Sequence, residues 1–527
     1  MTVQPILIDG RWQPAQAAGT FRAENPTTRE PLPEEYPVST WPDCDAALAA
    51  AERAFAVLRT LPGQRLGEFL DAFAARLEAR REELVELANL ETALGRSPRL
   101  AKVELPRTTN QLRQAAAAAR EGSWSLPTID TRANIRSYLA PLGPVWVFGP
   151  NNFPLAFGSL SGGDFAAAIA AGNPVIAKAN SSHPGTTRIC GEEAEAARQA
   201  TGLPPGTVQL IYRTGHADGA RAVADPRTGA TGYTGSRSAG LKLKAAADAV
   251  GKPIYLELSS VNPVVILPGA LAERGPQLAD EFTTSCLMGT GQFCTNPGLV
   301  LLVRGASTDD FIRQIVERFQ AAPVGTLLSG SVESSLRAGL QTLRDAGARV
   351  LVGGTPGGGP GYCCANTLLA VTGEQFLAHA EALQTEAFGN CSLLVIADDV
   401  PQLGQALDRL EGNLTGCVYS DTGGSDDAAY EQLAPRLRQR VGRLLNDKMP
   451  TGVAVSPAMN HGGPFPATGH PGFTAVGIPA SLRRFAALHC YDNVRPHRLP
   501  PNLQDKNPSG ALWRLVDGRW TQADVGA

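Results

Sequence analysis

Between residue 142 and about residue 268, short apolar runs rich in β-branched residues alternate with longer runs of helical pattern. Strands are predicted near 144–148, 174–178, 207–212, 231–234 and 254–258, with helices near 157–171, 185–200 and 236–249 between them. Strict β/α alternation predicts an α/β fold with a doubly wound parallel sheet, and a ligand site at the carboxyl ends of its strands. Alanine-rich helical stretches at about 44–60, 63–80 and 82–94 come first, and a second alternating block covers about 265–480. The Gly/Pro-rich stretch 353–361, leading into Tyr362 and 366–369, predicts an exposed hairpin rather than a phosphate loop. Strand-like runs at 135–139 and 486–491 lie outside both blocks.

A chain of 527 residues is ample for two or three packed lobes. The net charge of −3, with basic residues scattered rather than clustered, gives no reason to expect nucleic acid or an anionic membrane as a partner. The first ten residues carry no basic or apolar targeting pattern, and no apolar run is long enough for a bilayer, so a soluble cytoplasmic protein is expected. Nine cysteines without a regular framework suit a reducing compartment. Cys363 and Cys364 read as packing, and no metal site is expected, because no histidine or second cysteine pair stands at ligand spacing.

Cys294 differs from the other cysteines because its context, Gly289-Thr290-Gly291-Gln292-Phe293-Cys294-Thr295-Asn296-Pro297-Gly298, is rich in glycine. Glycines leave room for a substrate and free N–H groups for developing negative charge; the same context also fits a packed cysteine beside a tight turn. Two companions bear on the choice. The apolar run 144–148 breaks into Gly149-Pro150-Asn151-Asn152-Phe153-Pro154, a loop with two amides that could hold an oxyanion. The segment 253–260 places Glu257 inside an apolar strand, where desolvation would raise its pKa toward that of a useful base, unless it points to water at the strand end. Thiol, amide and carboxylate are the parts needed for covalent catalysis through a thioester.

These stretches, together with Lys178 after 175–177, Tyr233-Thr234-Gly235-Ser236 and Glu386-Ala387-Phe388-Gly389, occur in the order and approximate spacing of the aldehyde dehydrogenase superfamily, which the chain resembles over nearly its whole length. The resemblance implies two doubly wound lobes. Residues 1–121 and 142–264 would form a variant Rossmann cofactor domain, and 265–481 the catalytic domain. A small β element for oligomerisation would come from 122–141 and 482–504, leaving 505–527 as a C-terminal extension with no assigned role. Unpaired strand edges of that kind predict a homo-oligomer, dimer or tetramer.

The resemblance further implies that Cys294 attacks an aldehyde, that Asn152 and the Cys294 N–H hold the oxyanion, and that Glu257 activates the hydrolytic water. There is no GxGxxG, so Gly235 and Ser236 at a helix start would take the pyrophosphate, with Glu386 on the nicotinamide ribose and Phe388 on its ring. NAD-preferring relatives carry a glutamate three residues after the lysine; here that position is Ser181. With Lys178 adjacent and Arg213 as a second cation, unless it is simply solvated, NADP is expected, with NAD as the alternative. Stretches 107–113, 121–124, 291–298 and 460–468 look most like α-ketoglutaric semialdehyde (2,5-dioxovalerate) dehydrogenases and related fatty aldehyde dehydrogenases. Succinic semialdehyde relatives place arginines where this chain has Met288 and the uncharged run 155–163. Arg107 is therefore expected to meet a distal substrate carboxylate, with Phe153 lining the tunnel; if Arg107 faced solvent, a long or aromatic aldehyde would fit better.

Overall fold

The computed structural model describes residues 3–526. Its first large sheet has the strand order Ile254–Glu257, Ala230–Thr234, Val145–Phe148, Val175–Lys178, Val208–Ile211, Ile6–Ile8, Arg11–Gln13. The first five are parallel, in the register Val147↔Ala177 and Tyr233↔Phe148, and the two N-terminal strands add an antiparallel edge. The central strands are mostly apolar and buried along almost their whole length because helices cover both faces, which removes the in–out alternation of a half-solvated sheet. Chain order reverses between Val145–Phe148 and Ala230–Thr234, so a crevice opens there at the carboxyl ends of the strands.

The second large sheet runs Arg349–Val352, Thr367–Thr372, Cys391–Ala397, Leu299–Val303, Val264–Ile266, Asn413–Tyr419, Val441–Asn446. All its pairings are parallel except the hairpin of Arg349–Val352 with Thr367–Thr372, whose exposed connection is the Gly/Pro-rich stretch.

Helix Gly63–Ala79 packs through Leu66, Phe69, Leu70, Phe73 and Leu77, at the three- and four-residue spacing of one helical face. Burying each of its large apolar side chains contributes roughly 1.5–3 kcal/mol. Its main partner, Leu105–Glu121, ends where Gly122 turns to φ 80°. The helix expected near 157–171 is shorter, Gly163–Ala170. The preceding residues form tight turns instead: a Cβ on Gly158 would lie 2.3 Å from the carbonyl oxygen of Pro154.

A third sheet is ordered Ala486–Asp492, Ile135–Pro141, Thr128–Asp130, Arg514–Val516, Arg519–Thr521. The C-terminal residues are thus not an appendage to the small β element but two of its five strands. Asp517 (φ 46°) and Gly518 (φ 81°) make the two-residue turn between them, a conformation matching the twist of a tight hairpin. No helix among the described residues is long and apolar enough to cross a membrane.

Candidate active site

Cys294 stands just before Leu299–Val303 of the second large sheet and beside Glu257, which ends a strand of the first. Gly289, Thr290 and Gly291 precede it with φ of 56°, 60° and 68°. A Cβ on Gly291 would fall 2.1 Å from the carbonyl oxygen of Gly389, so only glycine allows this backbone approach. The Cys294 carbonyl accepts the Asn262 Nδ2 hydrogen bond at 2.9 Å. Among the described cysteines, Cys294 is partly exposed and Cys490 exposed, whereas the other seven are buried. Burial first, and the Glu257 carboxylate second, push the Cys294 thiol well above its ordinary range.

Asn152 is buried in the loop following Val145–Phe148, and its Nδ2 donates to the Gln292 carbonyl at 2.9 Å. One amide hydrogen is thereby spent on the cysteine loop and the other remains to be given. The loop is held from behind by buried Glu104, which accepts the Leu155 and Ala156 N–H groups at 2.9 and 3.1 Å and pairs with Arg99. Arg99 donates to the Asn152 carbonyl at 2.9 Å and lies 4.2 Å above the Phe153 ring. Phe153 makes edge contacts with Phe157 and Phe293, each at 5.3 Å between centroids, giving an aromatic wall beside the thiol.

Glu257 ends its strand at 2 % exposure, its Oε2 buried without a hydrogen-bond partner. It does not point to water. A segment from the second lobe crosses the strand end: Leu258 N–H donates to the Ala467 carbonyl at 2.8 Å, and Gly469 N–H to that of Leu256 at 3.1 Å. This crossing brings in His461, to which the residue pattern gave no role. Its Nε2 lies 3.1 Å from Glu257 Oε1 and 3.4 Å from Cys294 Sγ. Lone histidines in loops carry little sequence signal; the glycine pair 462–463 beside it was the available hint.

Arg107 is half-buried rather than facing solvent. Its Nη1 donates to the Val453 carbonyl at 2.7 Å, its guanidinium lies 5.1 Å over Phe157, and its Nη2 is buried without a partner. Burial lowers its pKa, and the Cys294 sulfur is among the groups whose charge it feels.

Several residues fit a dinucleotide. Helix Arg237–Asp248 starts at Ser236, whose exposed side chain makes no capping bond, so the first-turn N–H groups are available to an anion. Lys178 ends its strand two residues before the turn that contains Ser181; burial chiefly, and then Arg213, push its amine down to about 8. Arg213 is exposed, 5.6 Å from the Phe21 ring. Glu386 accepts the Ser260 N–H at 3.4 Å, and burial pushes its carboxyl up to about 7. It borders a cleft of about 670 Å³ with Arg237, Ser259 and Glu411, while Phe388 lines an adjoining recess with Phe293 and Gly291.

The sequence profile of the aldehyde dehydrogenase family matches residues 12–463. Alpha-ketoglutaric semialdehyde dehydrogenase 2 of Azospirillum brasilense is 38 % identical, covering 97 % of this chain and 98 % of that enzyme. An alpha-ketoglutaric semialdehyde dehydrogenase of Acinetobacter baylyi is 35 % identical over 96 % of this chain and 97 % of its own. The crystal structure of lactaldehyde dehydrogenase from Escherichia coli superposes with a TM-score of 0.80 at 23 % identity, over 93 % of this chain and 98 % of that one.

Proposed function

Because the chain belongs to the aldehyde dehydrogenase family, we propose that it oxidises α-ketoglutaric semialdehyde to 2-oxoglutarate through a thioester on Cys294, with NADP as the preferred cofactor. The observation that carries the substrate is Arg107. A buried guanidinium nitrogen without a partner, close enough to Cys294 to feel its charge, is costly unless an anion completes it, and a distal carboxylate would do so. Met288, where succinic semialdehyde relatives have an arginine, supplies no cation.

In the reaction, the Cys294 sulfur bonds to the aldehyde carbon while Asn152 Nδ2 and the Cys294 N–H receive the oxygen as it gains charge. A nicotinamide cofactor, when bound, would supply the hydride acceptor, taking the hydrogen of the broken C–H bond together with its electron pair. Glu257 then takes a proton from the water that attacks the thioester, releasing the acid and the thiol. Its unpartnered Oε2 offers that water a place, and a base here favours a free acid over transfer to coenzyme A. Ser181 leaves the adenosine end without a carboxylate to repel a 2′-phosphate, while Lys178 and Arg213 supply positive charge. Self-association is part of the same reading, supported by the edge strand Ala486–Asp492, where Leu488 is 68 % exposed.

The phenylalanines 153, 157 and 293 favour one second reading, an aliphatic or aromatic aldehyde. Initial rates with α-ketoglutaric semialdehyde, succinic semialdehyde and hexanal, in wild type and Cys294→Ala, separate the two. Preference for the oxo-acid, abolished in the variant, is expected; preference for hexanal would replace the substrate assignment.

A further inference from the structure

The Cys294 thiol, only partly exposed, sits beside the Glu257 carboxylate, an environment that opposes ionisation, yet the chemistry proposed above needs a thiolate. His461 Nε2 lies between the two groups, 3.4 Å from the sulfur and 3.1 Å from Glu257 Oε1. The reactive atoms of all three residues lie within 4.8 Å of one another. We propose that His461 is the base that takes the Cys294 proton, with Glu257 holding the imidazolium so formed.

The step balances within the protein. The S–H bond breaks and its electron pair stays on sulfur. The proton lands on Nε2, where the new N–H donates to Glu257 Oε1. Neutral thiol, neutral imidazole and carboxylate become thiolate, imidazolium and carboxylate, with no change in total charge. An imidazole in direct contact with a thiol and oriented by a third group is the arrangement that activates sulfur nucleophiles generally.

The ring is fixed for this task. His461 is 2 % exposed, its backbone N–H donates to Thr474 Oγ1 at 3.1 Å, its carbonyl accepts from Ala475 N–H at 2.9 Å, and the Phe157 ring lies 5.7 Å from it, tilted by 54°. The charged groups around the cluster are Glu257 at its strand end, Arg107 from the helix behind Phe157, Arg443 from the strand Val441–Asn446, and Glu386. The two arginines favour the thiolate, while the two glutamates oppose it. A division of labour follows: His461 serves the thiol first, and Glu257 is free for water once the sulfur carries the acyl group and no longer needs a base.

This inference rests on Cys294 being the nucleophile, but its test needs neither aldehyde nor cofactor. The second-order rate of alkylation of Cys294 by iodoacetamide is measured by peptide mass spectrometry between about pH 6 and about pH 10, in a Cys490→Ser background. The proteins compared are the full chain, His461→Gln, His461→Phe and Glu257→Gln, each checked for folding by circular dichroism. Wild type should react readily near neutrality. Both His461 variants should lose at least about tenfold in rate at pH 7 and regain it at alkaline pH. Folded His461 variants with the wild-type profile would overturn the proposal, as would a shift seen only in Glu257→Gln. Should the variants not fold, the wild-type profile still decides, because reactivity rising in a single step only above about pH 9 would exclude a neighbouring base. Rejection of α-ketoglutaric semialdehyde would leave this proposal standing, and failure of the alkylation shift would leave the substrate assignment standing.

Discussion

Glu104 Oε1 accepts the backbone N–H of Leu155 at 2.9 Å, so a carboxylate in the segment before Arg107 clamps the loop that carries Asn152. Its other oxygen pairs with Arg99, which in turn holds the Asn152 carbonyl. In Glu104→Gln the shape is kept but Arg99 loses its counter-charge. We expect unfolding free energy to fall by about 1–3 kcal/mol in urea titrations and kcat to drop about tenfold as the loop loosens. An unchanged kcat in a folded variant would show that Asn152 is positioned without this clamp.

Asn152 itself tests the oxyanion assignment. Its Nδ2 already donates to Gln292, so Asn152→Ala removes both that bond and the donor proposed to meet the substrate oxygen. The loss should lie in kcat, by about 10²–10³-fold, with KM little changed. A defect confined to KM would make the amide a ground-state contact.

The parallel sheet around the crevice was legible because a doubly covered sheet writes itself as apolar runs separated by helical ones, and the runs ending at Phe148, Lys178 and Glu257 are clean examples. Glycine spacing around Cys294 was legible for a similar local reason: Gly291 must accept the backbone of Gly389. His461 was not, because its place beside Glu257 depends on a chain crossing more than two hundred residues away in sequence, and loop histidines have no period. Nor was the role of the C-terminal strands, each three residues long and too short for alternation to register.

Arg107→Ala is the sharpest test of the substrate. Removing a charge-assisted contact to a carboxylate costs roughly 1.5–3 kcal/mol, so kcat/KM for α-ketoglutaric semialdehyde should fall about ten- to a hundredfold, while hexanal oxidation changes little. The guanidinium also holds the Val453 carbonyl, so Arg107→Lys separates the two roles. Equal losses for both aldehydes would mean that Arg107 only supports the loop around Val453.

Arg514, in the first C-terminal strand, ties the segment leading into the hairpin to the segment leaving it. It is fully buried, with Nη1 on the Gln504 carbonyl at 2.5 Å and Nη2 on those of Ala523 and Asp505 at 2.8 and 3.1 Å. Arg514→Ala strands those carbonyls, each worth about 1–3 kcal/mol if left unsatisfied. Thermal unfolding should shift down by several degrees while kcat/KM at 25 °C stays near wild type. A loss of activity in the fully folded variant would instead link this hairpin to the active site.

Lys178 gives the proposed NADP preference a pH signature. Burial first, and Arg213 second, push its amine down to about 8, so it is a cation below that pH and neutral above it. Attraction for a 2′-phosphate is therefore present below pH 8 and lost as pH rises through it. Since kcat/KM reports the free enzyme, kcat/KM for NADP should decline above about pH 8 while that for NAD stays flatter. In the bound state the phosphate retains the lysine proton, and the corresponding fall in kcat should come at higher pH. Lys178→Met should abolish the NADP step and bring the two cofactors closer together. A flat NADP profile in wild type, or a wild-type preference for NAD, would remove Lys178 from the recognition of the phosphate.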